Sequence, residues 1–479
     1  MRSCDEADLH VLRLTPYYYL GGRELTHREL QYEPIGGMQV QIMQTTEQLS
    51  ELGTRQTVVF PRRPGMPRAV RRDERTRFEL LSPPVAPIPT RSKGYVGLLV
   101  SWGLALVAWC AGQRLRGRHR RYSLIHMHCS ELPWTFLFAV LARRLLRRPL
   151  VLTVHCSALV TFHPETLGGR LLIEPARYFE RIAIRRAEAV VVLTQRVRDA
   201  YLGLGLTDPD RVHVVPDGVR LADFRPDPAA PADITEAEPT ARAERATRAE
   251  PVVETEPVAE VEPVAGAAPI TAAEPVAGAG PAAEAEPMVL YCGRFAPEKG
   301  WADYVDAAAL LIAEGVRARF VMCGDGNELV RCRAQLRRLG IEDRVELRGH
   351  LDRPDIARTM RRAAVVVIPS RHEEMGGTVL EALTAGRPVV VTDVGGLPTV
   401  VGHGAAGLIV PPCDPPALAE AIQRCLDSPE LAARLGEAGA QRAAGYDLES
   451  VTRRLLDVYT AVTDVAARQR VPAAGVGTG

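Results

Sequence analysis

The chain has 479 residues, of which 46% are hydrophobic, with 59 basic and 58 acidic side chains. That length can form two or three domains with separate cores, and the near balance of charge excludes a general electrostatic attraction to nucleic acid or to an anionic membrane. The nine cysteines show no C-x-x-C or zinc-site spacing, which favours a reducing compartment over a disulfide framework.

The N-terminal half alternates apolar runs with amphipathic segments. Its first six residues are polar and acidic and lack the apolar core of a signal peptide, so we predict a cytoplasmic protein. Short apolar runs predict strands, and apolar residues at helical spacing predict helices. The predicted strands are 11–14, 57–60, 124–127, 150–154, 189–193 and 212–219 with its exit turn, and the predicted helices are 39–52 and 136–146. This order indicates a parallel α/β domain over residues 1–224.

One segment resembles a membrane span in composition. Residues 95–112 carry no charge and contain Trp102 and Trp109, but the length is borderline for crossing a bilayer. Because Ser101 lies within it and a predicted strand follows at residue 124, we predict a buried or interfacial helix.

Residues 225–287 differ in composition from the rest of the chain. They are rich in Pro, Ala and Glu, with near-repeats of Glu-Pro-Val-Ala. Too few large apolar residues are present for a core, which predicts a disordered, extended insert. The excess of acid leaves a second interpretation open, an acidic clamp for a cationic partner.

The C-terminal half repeats the alternating pattern. Its predicted strands are 288–291, 319–323, 344–347, 364–368 and 388–391. They indicate a second doubly wound domain over residues 288–449, followed by a closing helix, 450–467, and a flexible tail, 468–479. The predicted fold class is therefore α/β with two Rossmann-like domains and a cleft between them, where loops at the carboxyl ends of the strands bind ligands.

Two cations lie in the turn after the first strand of this second domain. Arg294 and Lys299 are five positions apart, and lysine occurs elsewhere only at position 93. Fixed cationic charges stabilise the negative charge that develops on a departing diphosphate. The alternative interpretation is a surface pair flanking a helix.

A second loop of the same type contains two acids eight positions apart. Glu373 and Glu381 flank Gly376 and Gly377 between a predicted strand and a predicted helix. Free N–H groups at such a helix start can hold a phosphate, and glycines let a sugar approach the backbone. The carboxylates can accept hydrogen bonds from sugar hydroxyls. The alternative is an ordinary solvated helix start.

Metal and glycosidase chemistry are disfavoured by the sequence. The only Asp-x-Asp, at residues 208–210, has the pattern of a turn, and His126, His128 and His155 lie on or beside predicted strands without an evident carboxylate partner. Double displacement at a sugar needs two carboxylates, and Glu373 is the only candidate identified. We therefore expect no metal and no cofactor, and we expect His126 and His128 to be core or cleft-wall residues.

These motifs together resemble a known family. Gly293-Arg294, Lys299-Gly300, Gly324-Asp325-Gly326, Glu373-x7-Glu381 and Gly386-Arg387-Pro388 occur in the order and spacing of the retaining glycosyltransferases of family 4, which have the GT-B architecture of two Rossmann-like halves. In the N-terminal half, Gly36-Gly37 resembles the family's glycine-rich loop, and residues 152–155 resemble its strand ending in histidine.

The resemblance implies a role for each matching residue. Arg294 and Lys299 bind the diphosphate of a nucleotide sugar, and His155 contacts the donor sugar near the reacting centre. Glu373 and the backbone of Met375, Gly376 and Gly377 bind the hexose. The remaining donor contacts are Gly36 and Gly37 to phosphate, the amides of Thr378 and Val379 to phosphate, and Glu381 to ribose.

The chain is also similar to the aminoglycoside-biosynthesis enzymes that glycosylate 2-deoxystreptamine, through residues 11–16, 36–41, 155–157, 298–301 and 372–374. That similarity implies transfer of N-acetylglucosamine, or glucose, from a UDP-sugar co-substrate. The ammonium groups of such an acceptor need carboxylates, for which Glu131 and Glu165 are candidates. Two alternatives are a family 4 transferase with a lipid-linked or polysaccharide acceptor at a membrane, and a nucleotide-sugar-binding regulator without turnover. A hydrolase is a third, opposed by the single carboxylate.

Overall fold

The computed structural model describes residues 9–18, 37–62, 66–82, 96–162, 167–225 and 286–468. Gly36 and Glu165, two of the predicted site residues, lie outside the described residues, as do residues 226–285 of the predicted insert and residues 469–479 of the predicted tail.

The N-terminal half forms one large sheet. Its strands are β1 (His10–Leu14), β2 (Arg55–Pro61), β3 (Ala69–Arg71), β4 (Thr76–Leu81), β5 (Leu124–Cys129), β6 (Leu150–Val154), β7 (Ala189–Val192) and β8 (Val212–Val214). They lie in the order β3-β4-β2-β1-β5-β6-β7-β8, and all neighbours are parallel except the pair β3 and β4. Strands β3 and β4, at the edge of the sheet, were not predicted from the sequence; β3 has no buried residue, and in β4 every second residue is buried.

The described residues before position 226 contain six helices, of which the first five accompany this sheet and the last packs against the C-terminal half, where Phe224 is buried with Met288 and Leu290. The six helices are α1 (Gly37–Glu51), α2 (Val96–Leu115), α3 (Pro133–Leu146), α4 (Leu167–Arg186), α5 (Gln195–Gly203) and α6 (Leu221–Phe224). Strands β1, β5, β6 and β7 are almost wholly buried, as expected for parallel strands covered on both faces.

The apolar segment after residue 95 is confirmed as a packed helix. Trp102, Leu106 and Cys110 of α2 are buried in the same cluster as Phe136 and Phe138 of α3. Their spacing of four residues places them on one face of the helix. Within the part of the chain that is described, no helix is long and apolar enough to cross a membrane.

The C-terminal half forms a second parallel sheet. Its strands are β9 (Met288–Cys292), β10 (Arg319–Cys323), β11 (Val345–Gly349), β12 (Ala363–Ile368), β13 (Val389–Thr392) and β14 (Leu408–Val410), in the order β11-β10-β9-β12-β13-β14. The helices are α7 (Trp301–Ala313), α8 (Leu329–Leu339), α9 (Arg353–Arg362), α10 (Gly377–Thr384), α11 (Leu397–Val400), α12 (Pro415–Asp427), α13 (Pro429–Ala443) and α14 (Leu448–Arg468). The predicted fold class, two Rossmann-like α/β halves, is confirmed.

The last helix, α14, returns to the first sheet. Val451, Leu455 and Val462 of α14 share a buried cluster with Val11 and Leu124 on β1 and β5. The return is fixed by backbone hydrogen bonds on both sides of Val219, whose N–H donates to Tyr446 O at 2.9 Å and whose carbonyl accepts from Leu448 N at 3.0 Å. The chain thus crosses between the two halves twice, once in each direction, within the described residues.

Candidate functional site

The predicted donor residues lie where the strand order of the second sheet reverses direction. Strand β9 has β10 on one side and β12 on the other, and the segments that follow β9 and β12 carry Arg294, Lys299 and Glu373. Such a switch point leaves a crevice at the carboxyl ends of the strands, since the two connections run to opposite faces of the sheet. The structure therefore brings both predicted motifs to one edge of the sheet.

Backbone hydrogen bonds hold these two loops against each other. The carbonyl of Glu298 accepts from the N–H groups of Arg371 and His372 at 2.9 and 3.1 Å. The guanidinium of Arg371 also donates to both carboxylate oxygens of the buried Asp303, at 2.9 and 2.7 Å. A bidentate bond of this kind fixes orientation as well as distance, so the relative position of the loops is set by groups other than the predicted site residues.

Lys299 and Glu373 form an ion pair across the two loops. Lys299 Nζ donates to Glu373 Oε2 at 2.6 Å, and both side chains are about four-fifths buried. Arg294 Nη2 donates to Glu298 Oε1 at 2.8 Å within its own loop. An ammonium has three donors and only one of those on Lys299 has an acceptor among the described residues. The ammonium thus retains capacity to bind a further anion.

The start of α10 supplies backbone donors beside this pair. Gly376 precedes the helix at φ 92°, a left-handed conformation that favours glycine. The N–H groups of Val379 and Leu380 donate to Gly376 O at 3.0 and 3.3 Å, whereas no described acceptor bonds the N–H of Gly377 or Thr378. These two free donors are placed to bind an anion at the positive end of the helix dipole.

Glu381, one turn into α10, is bonded to Arg353 in this structure. Arg353 donates from Nη1 to Glu381 Oε1 at 3.2 Å and from Nε to Asp223 at 2.7 Å, and its guanidinium lies 4.8 Å from the ring centroid of Phe224. Burial raises the pKa of Glu381 despite this cation. Oxygen Oε2 of Glu381 has no donor among the described residues, so it remains able to accept from a hydroxyl.

The N-terminal half contacts the same loops. Thr194, the residue before α5, donates to Glu374 Oε1 at 3.4 Å, and Cys156 Sγ lies 3.8 Å from His372 Nε2. Because Cys156 directly follows His155 at the end of β6, His155 stands beside the interface with the donor motif. Loops from both halves therefore form one crevice.

Further buried carboxylates lie close to Glu373. Burial, followed by the nearby charges of Glu373 and Glu374, raises the pKa of Asp217 to about 7. Burial likewise raises the pKa of Glu374 to about 7, with Glu373 adding to the effect. Two further acids, neither of them identified from the sequence, thus lie near Glu373. Glu131 lies close enough to Cys156 that its charge helps raise the pKa of that thiol after burial.

Two of these acids have an oxygen without a hydrogen-bond donor. Oδ1 of Asp217 and Oε2 of Glu374 are inaccessible and unbonded within the described ranges. An unsatisfied buried acceptor costs about 1–3 kcal/mol. A ligand that donates hydrogen bonds or carries positive charge relieves that cost.

Three buried histidines, His126, His128 and His155, lie close together at this end of the first sheet. His128 Nδ1 lies 3.0 Å from His155 Nε2, and His128 Nε2 lies 2.9 Å from Arg13 Nη2. His126 bonds separately to Thr153 and to the hydroxyl of Tyr459. His126 and His128 are therefore core and cleft-wall residues, as predicted, and the described residues contain no group of His, Cys, Asp and Glu that could hold a metal ion.

This cluster predicts an acid-sensitive fold. Burial, with Arg13 adding to it, lowers the pKa of His155 to about 3 and that of His126 well below its ordinary value of 6.5. Because the folded pKa is depressed, the unfolded chain binds protons first, so stability is complete above about pH 6.5 and is lost as the pH falls. Each such histidine contributes a slope of about 1.4 kcal/mol per pH unit below that point.

We expect the variant His126→Gln to reduce the pH dependence of the unfolding free energy by about 1.4 kcal/mol per pH unit, the contribution of one histidine, since glutamine does not titrate. The measurement is urea unfolding of both proteins between pH 5.5 and 7.5. If the unfolding free energies of the two proteins changed with pH in parallel, His126 would not be held neutral by the fold.

Several residues of the site were not found from the sequence. Arg13 carried a signal, because it is a single charge within an apolar strand, but its partners were not evident. Arg353 and Asp217 carried none, since each lies in an ordinary helix start or turn. The predicted roles of the site residues themselves remain predictions that the geometry is compatible with.

Comparison with known proteins gives consistent matches over both halves. The family model for glycosyl transferases group 1 matches residues 277–442, and that for a glycosyl transferase 4-like domain matches residues 36–218. An alpha-D-kanosaminyltransferase from Streptomyces kanamyceticus is 32% identical, over 88% of this chain and 99% of the relative. A 2-deoxystreptamine N-acetyl-D-glucosaminyltransferase from Streptomyces fradiae is 31% identical, over 93% of this chain and 96% of the relative. Sucrose-phosphate synthase from Thermosynechococcus elongatus has the same fold, with a TM-score of 0.71 at 22% identity, covering 95% of this chain and 100% of that one.

Proposed function

The chain belongs to the glycosyltransferases of family 4 with the GT-B architecture, and from this premise we propose that it transfers N-acetylglucosamine or glucose from a UDP-sugar to 2-deoxystreptamine with retention at the anomeric carbon. The reaction is a step of aminoglycoside antibiotic biosynthesis. The donor lies on the C-terminal half and the acceptor on the N-terminal half, with the anomeric carbon in the crevice between them.

The observation that carries this proposal is the arrangement around the Lys299–Glu373 ion pair. One ammonium with spare donors, the neighbouring guanidinium of Arg294 and the free N–H groups of Gly377 and Thr378 lie at one edge of the second sheet. Such a set of donors is suited to a diphosphate, whose negative charge grows as the glycosidic bond breaks. Glu373 and Glu381 then lie on either side of it as acceptors for sugar and ribose hydroxyls.

The carboxylates of the crevice favour a cationic acceptor. Asp217 and Glu374 each retain an unbonded buried oxygen, and Glu131 lies on the N-terminal side of the same crevice. Ammonium groups supply both the missing donors and the compensating charge. Glu131 is thus a proposed acceptor-binding residue, together with Glu165 from the sequence.

The chemistry we propose is attack on the same face of the sugar that the leaving group departs from. The acceptor hydroxyl oxygen forms the new bond to the anomeric carbon, the bond from that carbon to the UDP oxygen breaks, and the hydroxyl proton passes to the departing phosphate oxygen. Arg294 and Lys299 stabilise the resulting diphosphate. We propose no metal and no cofactor for this step, and we place it in the cytoplasm because the eight cysteines within the described ranges are free.

The direct test is incubation of the protein with 2-deoxystreptamine and either UDP-N-acetylglucosamine or UDP-glucose, analysed by mass spectrometry. We expect one donor to give an acceptor mass increased by one sugar residue, and NMR of the product to show the donor's anomeric configuration. Donor that stays intact with every acceptor would favour a regulatory protein. Binding to liposomes in the absence of acceptor would favour a membrane acceptor.

Substitution of Asp217 tests the acceptor side. For Asp217→Asn we expect the acceptor KM to rise about tenfold or more while the donor KM changes little, because a charge-assisted bond contributes about 1.5–3 kcal/mol. With a pKa of about 7, Asp217 in the wild type must lose a proton to bind an ammonium, so the acceptor KM should fall as pH rises from 6 to 8. Steady-state kinetics over that range measure both effects. Loss of all activity in Asp217→Asn, with an unchanged Kd for the acceptor, would instead indicate that Asp217 takes part in the chemical step, as a covalent nucleophile would.

A further inference from the structure

Arg13 is a buried cation without a carboxylate partner among the described residues. It lies in the middle of β1 with no exposed surface. Its guanidinium donates from Nη1 to Thr46 Oγ1 at 2.5 Å and from Nη2 to His128 Nε2 at 2.9 Å. Burying a charge without an opposite charge is costly, and the fold has no evident need for one at this position. A functional role for Arg13 would account for it.

The contact with Arg13 determines where His128 carries its proton. A guanidinium has only donors and stays protonated in proteins. Nitrogen Nε2 of His128 must therefore accept, which leaves the proton of a neutral His128 on Nδ1. That nitrogen lies 3.0 Å from His155 Nε2, so His128 donates to His155.

The same logic extends to His155. Its Nε2 accepts from His128, and a neutral imidazole carries one proton. That proton must be on Nδ1, which no other described residue bonds. His155 follows directly after β6 at the carboxyl edge of the first sheet, beside the contact between Cys156 and His372.

We propose that Arg13 and His128 are positioning residues that fix His155 as its Nδ1–H tautomer, so that His155 donates a hydrogen bond to an oxygen of the sugar donor and does not act as a base. Three strands contribute one residue each to this relay, from β1, β5 and the end of β6. Each group of the relay donates to the next, from the Arg13 guanidinium to His128 and from His128 to His155. If His128 carried its proton on Nε2 instead, two donors would face each other at Arg13 and His128.

The electrostatics of the cluster support a neutral His155. Burial, together with the charge of Arg13, lowers its pKa to about 3, so one proton resides on the ring at assay pH. The lone pair needed for proton abstraction is directed at His128. A base for the acceptor hydroxyl must then be another group, in agreement with proton transfer to the departing phosphate.

The catalytic consequence rests on the proposed function, but the tautomer does not. It is measured without substrate, by long-range 15N–1H correlation spectra of protein labelled with 15N-histidine, in which His155→Gln identifies the His155 signals by their disappearance. We expect the wild type to show a protonated Nδ1 and an unprotonated Nε2 on His155 between pH 6 and 8. A protonated Nε2 would overturn the proposal whether or not the protein transfers a sugar.

Variants separate positioning from folding. In His128→Leu the donor to His155 Nε2 is removed, so we expect His155 to populate both tautomers and kcat to fall about 10- to 100-fold with a smaller change in the donor KM. Arg13→Lys keeps a cationic donor and should retain the wild-type tautomer. His126→Leu, on the same strand but without a bond to His155, is the matched control and should also retain it. An unchanged His155 spectrum in a folded His128→Leu variant would contradict the relay.

Discussion

Replacing Lys299 by alanine is expected to lower kcat by about 10²- to 10³-fold, the range found when one preorganised donor to a developing charge is removed. The Kd for the UDP-sugar should rise by less than about tenfold. The reason is that the ammonium interacts most strongly with the leaving diphosphate, whose charge is greater in the transition state than in the bound donor. Single-turnover kinetics and calorimetric titration of the donor measure the two quantities separately.

A second ion pair provides the control for this variant. Arg319 Nη2 lies 3.2 Å from Glu346 Oε2, at the amino end of β10 and therefore at the opposite edge of the second sheet from Lys299. Arg319→Ala should leave both kcat and the donor Kd unchanged, since exposed pairs contribute little. If Lys299→Ala lowered donor affinity and kcat by the same factor, its charge would serve binding and not leaving-group stabilisation.

The second large effect is expected at Gly395, whose backbone packs against the backbone carbonyl of Glu373. Gly395 has φ 56°, and an added Cβ would overlap the carbonyl oxygen of Glu373. We expect Gly395→Ala to displace the loop that carries Glu373 and to reduce kcat/KM by about 100-fold or more, because a displacement of about 1 Å at a reacting centre has an effect of that size.

Gly386 gives a matched control for backbone strain. Its φ is 67°, and an added Cβ meets no atom within 4 Å. Gly386→Ala therefore carries the left-handed strain of about 1–2 kcal/mol without the steric overlap. We expect it to lower Tm and to leave kcat/KM within a few fold. Equal losses of activity in the two glycine variants would show that strain, and not the position of Glu373, controls catalysis.

The strand-to-helix motifs of the C-terminal half could be found from the sequence because their signals are local. Short apolar runs identified β9 and β12, and the polar residues after each run had to lie at the carboxyl edge of a parallel sheet. Two loops at adjacent strands then meet without any knowledge of side-chain contacts. The pairing of Lys299 with Glu373, 74 positions apart, is a direct result of this topology.

The relay to His155 was beyond sequence reasoning because it is not local. Arg13 and His128 are 115 positions apart, and which nitrogen meets which depends on the register of β1 against β5. Asp217 was missed for a similar reason, since it looks like an ordinary turn residue until the second half packs against it. Long-range register and interdomain packing, which decide these contacts, are not recorded in local residue patterns.

The most direct test of the account is a crystal structure of the protein with UDP. We predict that the diphosphate lies within hydrogen-bond distance of Arg294, Lys299 and the N–H groups of Gly377 and Thr378, and that a ribose hydroxyl donates to Glu381. UDP bound away from the loops after β9 and β12, or bound there with Lys299 still paired only to Glu373, would contradict it.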